Sequence, residues 1–176
     1  MEFDSTKPVR NGNDEKLVLE HQAARYFMRA YQRRFAVKMQ HIWHNEPSKP
    51  DVSCYLAGQK LDLEIAHLYG SEAEAMQFLG RALSPATLHE LALLQQTEVA
   101  DRLLTALRRL IRSKANKSYD SARVWLVIRN THPDWQADEL TFCPAKVTVP
   151  AGHPFEQIWL LPDLTAESGL VRLWPQ

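Results

Sequence analysis

The sequence is poor in glycine and cysteine and holds no long apolar run, and each shortage removes a class of protein. Cys54 and Cys143 are its two cysteines and form no CxxC spacing, which excludes a disulfide framework and a cysteine-rich zinc module. Six glycines leave no Gly-rich phosphate loop, so nucleotide-cofactor folds lose their motif. No stretch reaches the ~18 consecutive apolar residues of a membrane helix, and no membrane partner is expected. The N-terminal segment lacks the apolar run of a signal peptide, which makes a cytoplasmic location the expectation. No GxSxG element or Cys/His arrangement supports covalent catalysis. Charge of one sign is missing too: 21 Lys+Arg stand against 21 Asp+Glu. That balance excludes a chain that is basic throughout, as an indiscriminate DNA coater would be.

What is present suits one globular domain. The chain has 176 residues, 45% of them hydrophobic and 24% charged. Residues 1–13 are polar and read as a flexible tail, leaving 14–176 as a single domain. Leu17, Leu19, Ala23, Phe27, Ala30 and Tyr31 recur near helical spacing and predict a helix over 14–35. The period then changes to that of strands at 36–44, 51–56 and 60–68, with a turn around Gly58. In the third, Leu61, Leu63 and Ile65 take one face while Lys60, Asp62, Glu64 and Ala66 take the other. A short helical piece over 72–83 and a break at Ser84-Pro85 precede a long helix expected at 86–117. Its apolar stripe runs through Val99, Leu103, Leu107, Leu110 and Ile111. Residues 124–128 form a continuous apolar run, the pattern of a strand buried on both faces. Residues 130–154 are loop-rich, and late strands are expected at 155–161 and 170–174. The order predicts an α/β (α+β) domain: a mixed central sheet flanked by helices, with extra C-terminal strands.

Three carboxylates collect on one predicted hairpin. Asp51 starts the second strand, and Asp62 and Glu64 lie two apart on the third, hence on the same face. Counting back from the turn at Gly58 brings Asp51 beside Glu64. Such a pair repels itself unless a cation intervenes, and magnesium suits it as a hard ion that takes one or two carboxylates. The plainer reading of alternating charge on a strand is a solvated sheet face.

Pro50-Asp51, twelve intervening residues, and Glu64 within Leu61-Asp62-Leu63-Glu64-Ile65-Ala66 resemble the PD-(D/E)XK nuclease superfamily, whose fold is restriction-endonuclease-like. The likeness spans residues of roughly 14 to 130, because that core also runs α-β-β-β-α-β. The resemblance implies Mg²⁺ (or Mn²⁺) as cofactor, with Asp51 and Glu64 as ligands, the Ile65 carbonyl a third and Asp62 assisting. First-helix glutamates sometimes complete such sites, which makes Glu20, with Glu15 competing, an additional candidate. In the superfamily a lysine two residues after the acid orients or activates the attacking water. Here that position holds Ala66. Divergent members move the lysine onto the following helix, where Lys114 and Lys117 continue the stripe of Leu107, Leu110 and Ile111. Lysines at an emerging helix C-terminus, favoured by the dipole, are the rival reading.

Basic residues gather in two places: Arg25, Arg29 and Arg33 at four-residue spacing on the first helix, and Arg108, Arg109 and Arg112 on the long one. Both suit phosphate-backbone contacts, and both equally suit solvated helix faces. The zinc reading of His41-Ile42-Trp43-His44 is set aside because strand positions three apart face opposite sides. His67 reads as a hydrogen-bonded core histidine, and Trp125, Trp159 and Trp174 as core. The function expected is a Mg²⁺-dependent endonuclease acting on nucleic acid, DNA before RNA. Its rivals are an inactive module of the same fold for nucleic-acid binding or assembly, and a homodimeric scaffold using apolar surface of 155–174.

Overall fold

The computed structural model describes residues 12–46, 49–94, 99–132 and 146–176. The tail at 1–11, Cys143 and most of the loop expected at 130–154 lie outside them. Helix α1 (Gly12–Phe35) opens with Asp14 and Glu15 and closes with Arg33 and Arg34, each charge matched to its end of the helix dipole. Ala36 ends it with φ 52°, its N–H donating to the Gln32 carbonyl at 2.9 Å. Glycine usually takes this left-handed position, so the alanine carries some strain.

Strands β1 (Met39–His44), β2 (Val52–Leu56) and β3 (Gln59–Leu68) form an antiparallel meander. β1 is shorter than the expected 36–44 and bulges between Gln40 and Trp43, where His41 has φ 58°. Leu56 pairs with Gln59 across Ala57 (φ 49°) and Gly58 (φ 81°). Two left-handed residues make a type I′ turn, the geometry that matches the twist of the flanking strands. Three helices then follow, α2 (Glu72–Phe78), α3 (Pro85–Leu94) and α4 (Val99–Ala115). They lead to β4 (Val124–Asn130), which lies parallel to β3 and to β5 (Gln157–Leu161). Strand β6 (Val171–Trp174) closes the sheet antiparallel to β5, and the six strands lie in chain order. The domain is thus α+β, with a six-stranded mixed open sheet.

The helix expected over 86–117 is described as two, with residues 95–98 outside the described set. The reason is visible in their faces. On α4, Leu103, Leu107 and Ile111 are fully buried, whereas α3 buries no residue and its leucines do not continue that stripe. Pro85 starts α3 at the position where its missing N–H costs nothing, and the Ser84 hydroxyl accepts from the Thr87 N–H at 3.1 Å.

Two cores sit on the two faces of the sheet. Leu61, Leu63 and Ile65 of β3, with Trp125 and Val127 of β4, pack on Ala23, Ala24 and Phe27 of α1. Phe27 meets Trp125 edge-on with centroids 6.3 Å apart. On the other face Leu126 and Ile128 meet Leu103, Leu107 and Ile111 of α4. This double burial is why β4 reads as an unbroken apolar run. Trp125 and Trp159 are core as expected, but Trp174 is exposed, because β6 is the edge strand. Among the described residues no helix is long and apolar enough to cross a membrane.

Candidate functional site

The register places the carboxylates. Val52 pairs with Leu63, so Asp51, one residue earlier, comes opposite Glu64. Asp51 Oδ2 accepts the Ile65 N–H at 2.9 Å, which pins the start of β2 to the backbone of β3. Glu64 projects to the α4 side, where its Oε1 accepts from Lys114 Nζ at 2.6 Å. Both side chains of this ion pair are largely buried, 7% and 16% exposed. Glu20 of α1 is buried as well and pairs with Lys16 at 3.5 Å. Helices from opposite faces of the sheet therefore deliver Glu20 and Lys114 to one end of the β2–β3 hairpin.

The electrostatics bind these groups into a set. Burial raises the carboxyls of Glu20, Asp51 and Glu64 above the ordinary range. Repulsion adds to it: Asp51 feels Glu20, Glu64 feels Asp51, and Glu20 feels Glu64. The Lys114 ammonium opposes the rise in all three. Three buried carboxylates, faced by Lys114 at Glu64 and by Lys16 at Glu20, still carry an excess of negative charge, which is the condition that favours a bound cation.

The other predicted residues fall in different places. Asp62 is buried, but the Ser53 hydroxyl donates to its Oδ1 at 2.5 Å and the Ser121 hydroxyl to its Oδ2 at 2.6 Å. Its lone pairs are thus held by two serines, with Lys60 at 3.9 Å. Lys117 lies exposed beyond the end of α4, though its charge is still felt at Glu64. Ala66 packs into the α4-side core, so its methyl group has a structural use. Arg25 and Arg29 line a groove of about 350 Å³ between α1 and β1, together with His21 and His41. Arg33 is exposed a turn further on. Arg108 donates twice to the Lys146 carbonyl, at 2.7 and 3.1 Å, and is tied to the backbone, while Arg109 and Arg112 are exposed.

Several features carry no signal in the sequence. Tyr119 turns its hydroxyl into the protein toward Glu64, where burial and that carboxylate raise its pKa. The hydroxyl is buried without a complete hydrogen bond. Ser53 and Ser121 surround Asp62, and nothing in their spacing announces it. His67 differs from expectation: its Nε2 is buried with no hydrogen-bond partner, and burial with nearby Arg129 lowers its pKa to about 4. His44 stacks on His21 with ring centroids 5.6 Å apart, and His41 sits edge-on to Tyr55.

Among the described residues no group of three or more His, Cys, Asp and Glu side chains is placed to hold a metal ion. Magnesium asks for less, one or two carboxylates and several waters, and Asp51 with Glu64 is an all-oxygen donor set of that kind. Asp51 and Glu64 are the two residues that would hold such an ion. No protein-family model, no curated protein and no solved structure matches the chain.

Proposed function

We propose that the chain is a Mg²⁺-dependent nuclease with a restriction-endonuclease-like core that hydrolyses phosphodiester bonds in nucleic acid, DNA in the first instance. The observation that carries this reading is the 2.6 Å contact of Lys114 with Glu64 beside Asp51. An ammonium beside Glu64 supports giving Lys114 the role that the resemblance assigns to a lysine and that Ala66 cannot fill. Asp51 and Glu64 would hold the ion, and Glu20 would complete its surroundings from α1. Bound there, magnesium supplies Lewis-acid stabilisation of the phosphate and a more acidic water. Lys114 orients the attacking water and stabilises charge that develops on the phosphate oxygens. Arg25 and Arg29, in their groove along the same helix, hold flanking phosphates without reading bases.

A second reading has its own observation. The Lys114 ammonium already compensates Glu64, so the cluster could persist without an ion, as a non-catalytic nucleic-acid-binding or assembly module. Incubating labelled DNA with the protein in Mg²⁺ and in EDTA separates the two. The nuclease reading predicts cleavage that needs Mg²⁺ and falls by about 100-fold or more in Glu64→Gln, the scale on which metal surroundings act. Salt-sensitive binding with no cleavage under any metal is the result that favours the second.

A further inference from the structure

A cavity of about 350 Å³ opens directly beside the carboxylates. Its floor is Ile65, Ala66 and His67, the three residues that follow Glu64 on β3. Glu20 and Lys114 stand in its walls, so a molecule seated there touches the same two groups that flank the Asp51–Glu64 pair. Leu19, Leu79 and Leu110 supply apolar wall and Tyr69 an aromatic ring. Arg81, just past α2, reaches toward Gly12 at the start of α1 and brings a cation to the side of the cavity, as Lys16 does.

This size is at the small end of ligand pockets, suited to one nucleotide and too small for a duplex. The composition suits a nucleotide as well. An aromatic ring and leucines take a base face, and cations take the phosphates on either side of it. Glu15 and Glu20 add acceptors for sugar hydroxyls or base amino groups. The helix continues the track: α1 lines this cavity from Gly12 to Glu20 and the basic groove from His21 to Gln32.

We propose that this cavity receives one unpaired nucleotide, so that the enzyme works on single strands and frayed ends and not on the interior of a duplex. The proposal rests on the nuclease reading for its chemistry, but its binding part is separable. The test uses the full chain and one DNA sequence presented as a single strand, a forked duplex and a blunt duplex, together with calorimetric binding of dAMP. Two variants lie outside the carboxylate cluster: Leu79→Trp fills the cavity, and Arg81→Glu reverses an exposed cation at its side. Circular dichroism checks that each folds, and the exposed position makes Arg81→Glu the safer of the two.

Single-strand and forked DNA are expected to be cut about 100-fold faster than blunt duplex, because the latter must first unpair. Binding of dAMP is expected to weaken by about tenfold or more in both variants. Equal cleavage of blunt duplex and single strand overturns the proposal, and so does dAMP binding untouched by either variant. If no DNA is cut in Mg²⁺ the nuclease reading fails by itself, and the dAMP measurement still decides the pocket.

Discussion

Replacing Lys114 with Met retains a long apolar stem and deletes the ammonium that three buried carboxylates share. Glu64 loses its 2.6 Å partner, and Asp51 and Glu20 lose an opposing charge. Removing one partner of a buried pair costs about 3–5 kcal/mol, and the lower end applies here because a carboxyl with a raised pKa can take up a proton instead. For a chain of 176 residues that is a fall of roughly 6–12 °C in Tm. The pH dependence follows from the sign of the shifts. A carboxyl raised in the folded state binds its proton more tightly there than in the unfolded chain, so its cost is full above the folded pKa and gone below the ordinary value of 4.5. Urea denaturation followed by circular dichroism should show a large loss near pH 7.5 that shrinks toward pH 5. Adding Glu64→Gln to Lys114→Met should recover part of the loss, with a coupling of about 1 kcal/mol or more. Mg²⁺ should restore the single variant more than it stabilises wild type. A variant as stable as wild type, or a loss that is the same at both pH values, would show that Lys114 does not compensate buried carboxylates.

Three further outcomes are expected. His67 is neutral in the fold with a pKa of about 4, and must gain a proton on unfolding below the ordinary 6.5. Its stabilisation is full above 6.5 and lost toward pH 4, by at most about 3 kcal/mol. Stability curves of wild type and His67→Gln should therefore converge or cross across that window, and parallel curves would contradict the burial argument. Ala57→Asn turns the hairpin into Asn-Gly at an exposed, left-handed position and should stabilise by roughly 0.5–1 kcal/mol in the same urea titration. Phe27→Ala empties the space against Trp125 and Trp159 and should cost about 3–5 kcal/mol; a cost near zero would mean that α1 does not anchor this core.

The fold was legible where one periodicity ruled a segment. The alternation Leu61/Leu63/Ile65 and the unbroken run at 124–128 come from strands whose two faces meet fixed neighbours, so side-chain order records topology. The pairing of Asp51 opposite Glu64 was legible because a two-residue turn sets register by counting. The division of the 86–117 stretch into α3 and α4 was not, since leucine-rich segments look alike whether or not a face is buried. The β1 bulge leaves no trace in the sequence because His41 at φ 58° is a backbone choice its residue type does not announce. Asp62 looked equivalent to Glu64, being on the same face, and only the serines brought in from β2 and from the loop before β4 separate them. Tyr119 approaches Glu64 and Ser121 reaches Asp62 from a connection without periodicity, where no spacing rule applies.

The ion site proposed at Asp51 and Glu64, with Glu20 and Lys114 beside it, is open to a direct measurement. Direct Mn²⁺ binding, read from the loss of the free-ion electron-spin resonance signal near pH 7.5, tests it without any assumption about substrate. Wild type is expected to bind Mn²⁺ stoichiometrically, and Asp51→Asn to abolish that binding. Absence of binding at millimolar Mn²⁺, or binding unchanged in that variant, would contradict it.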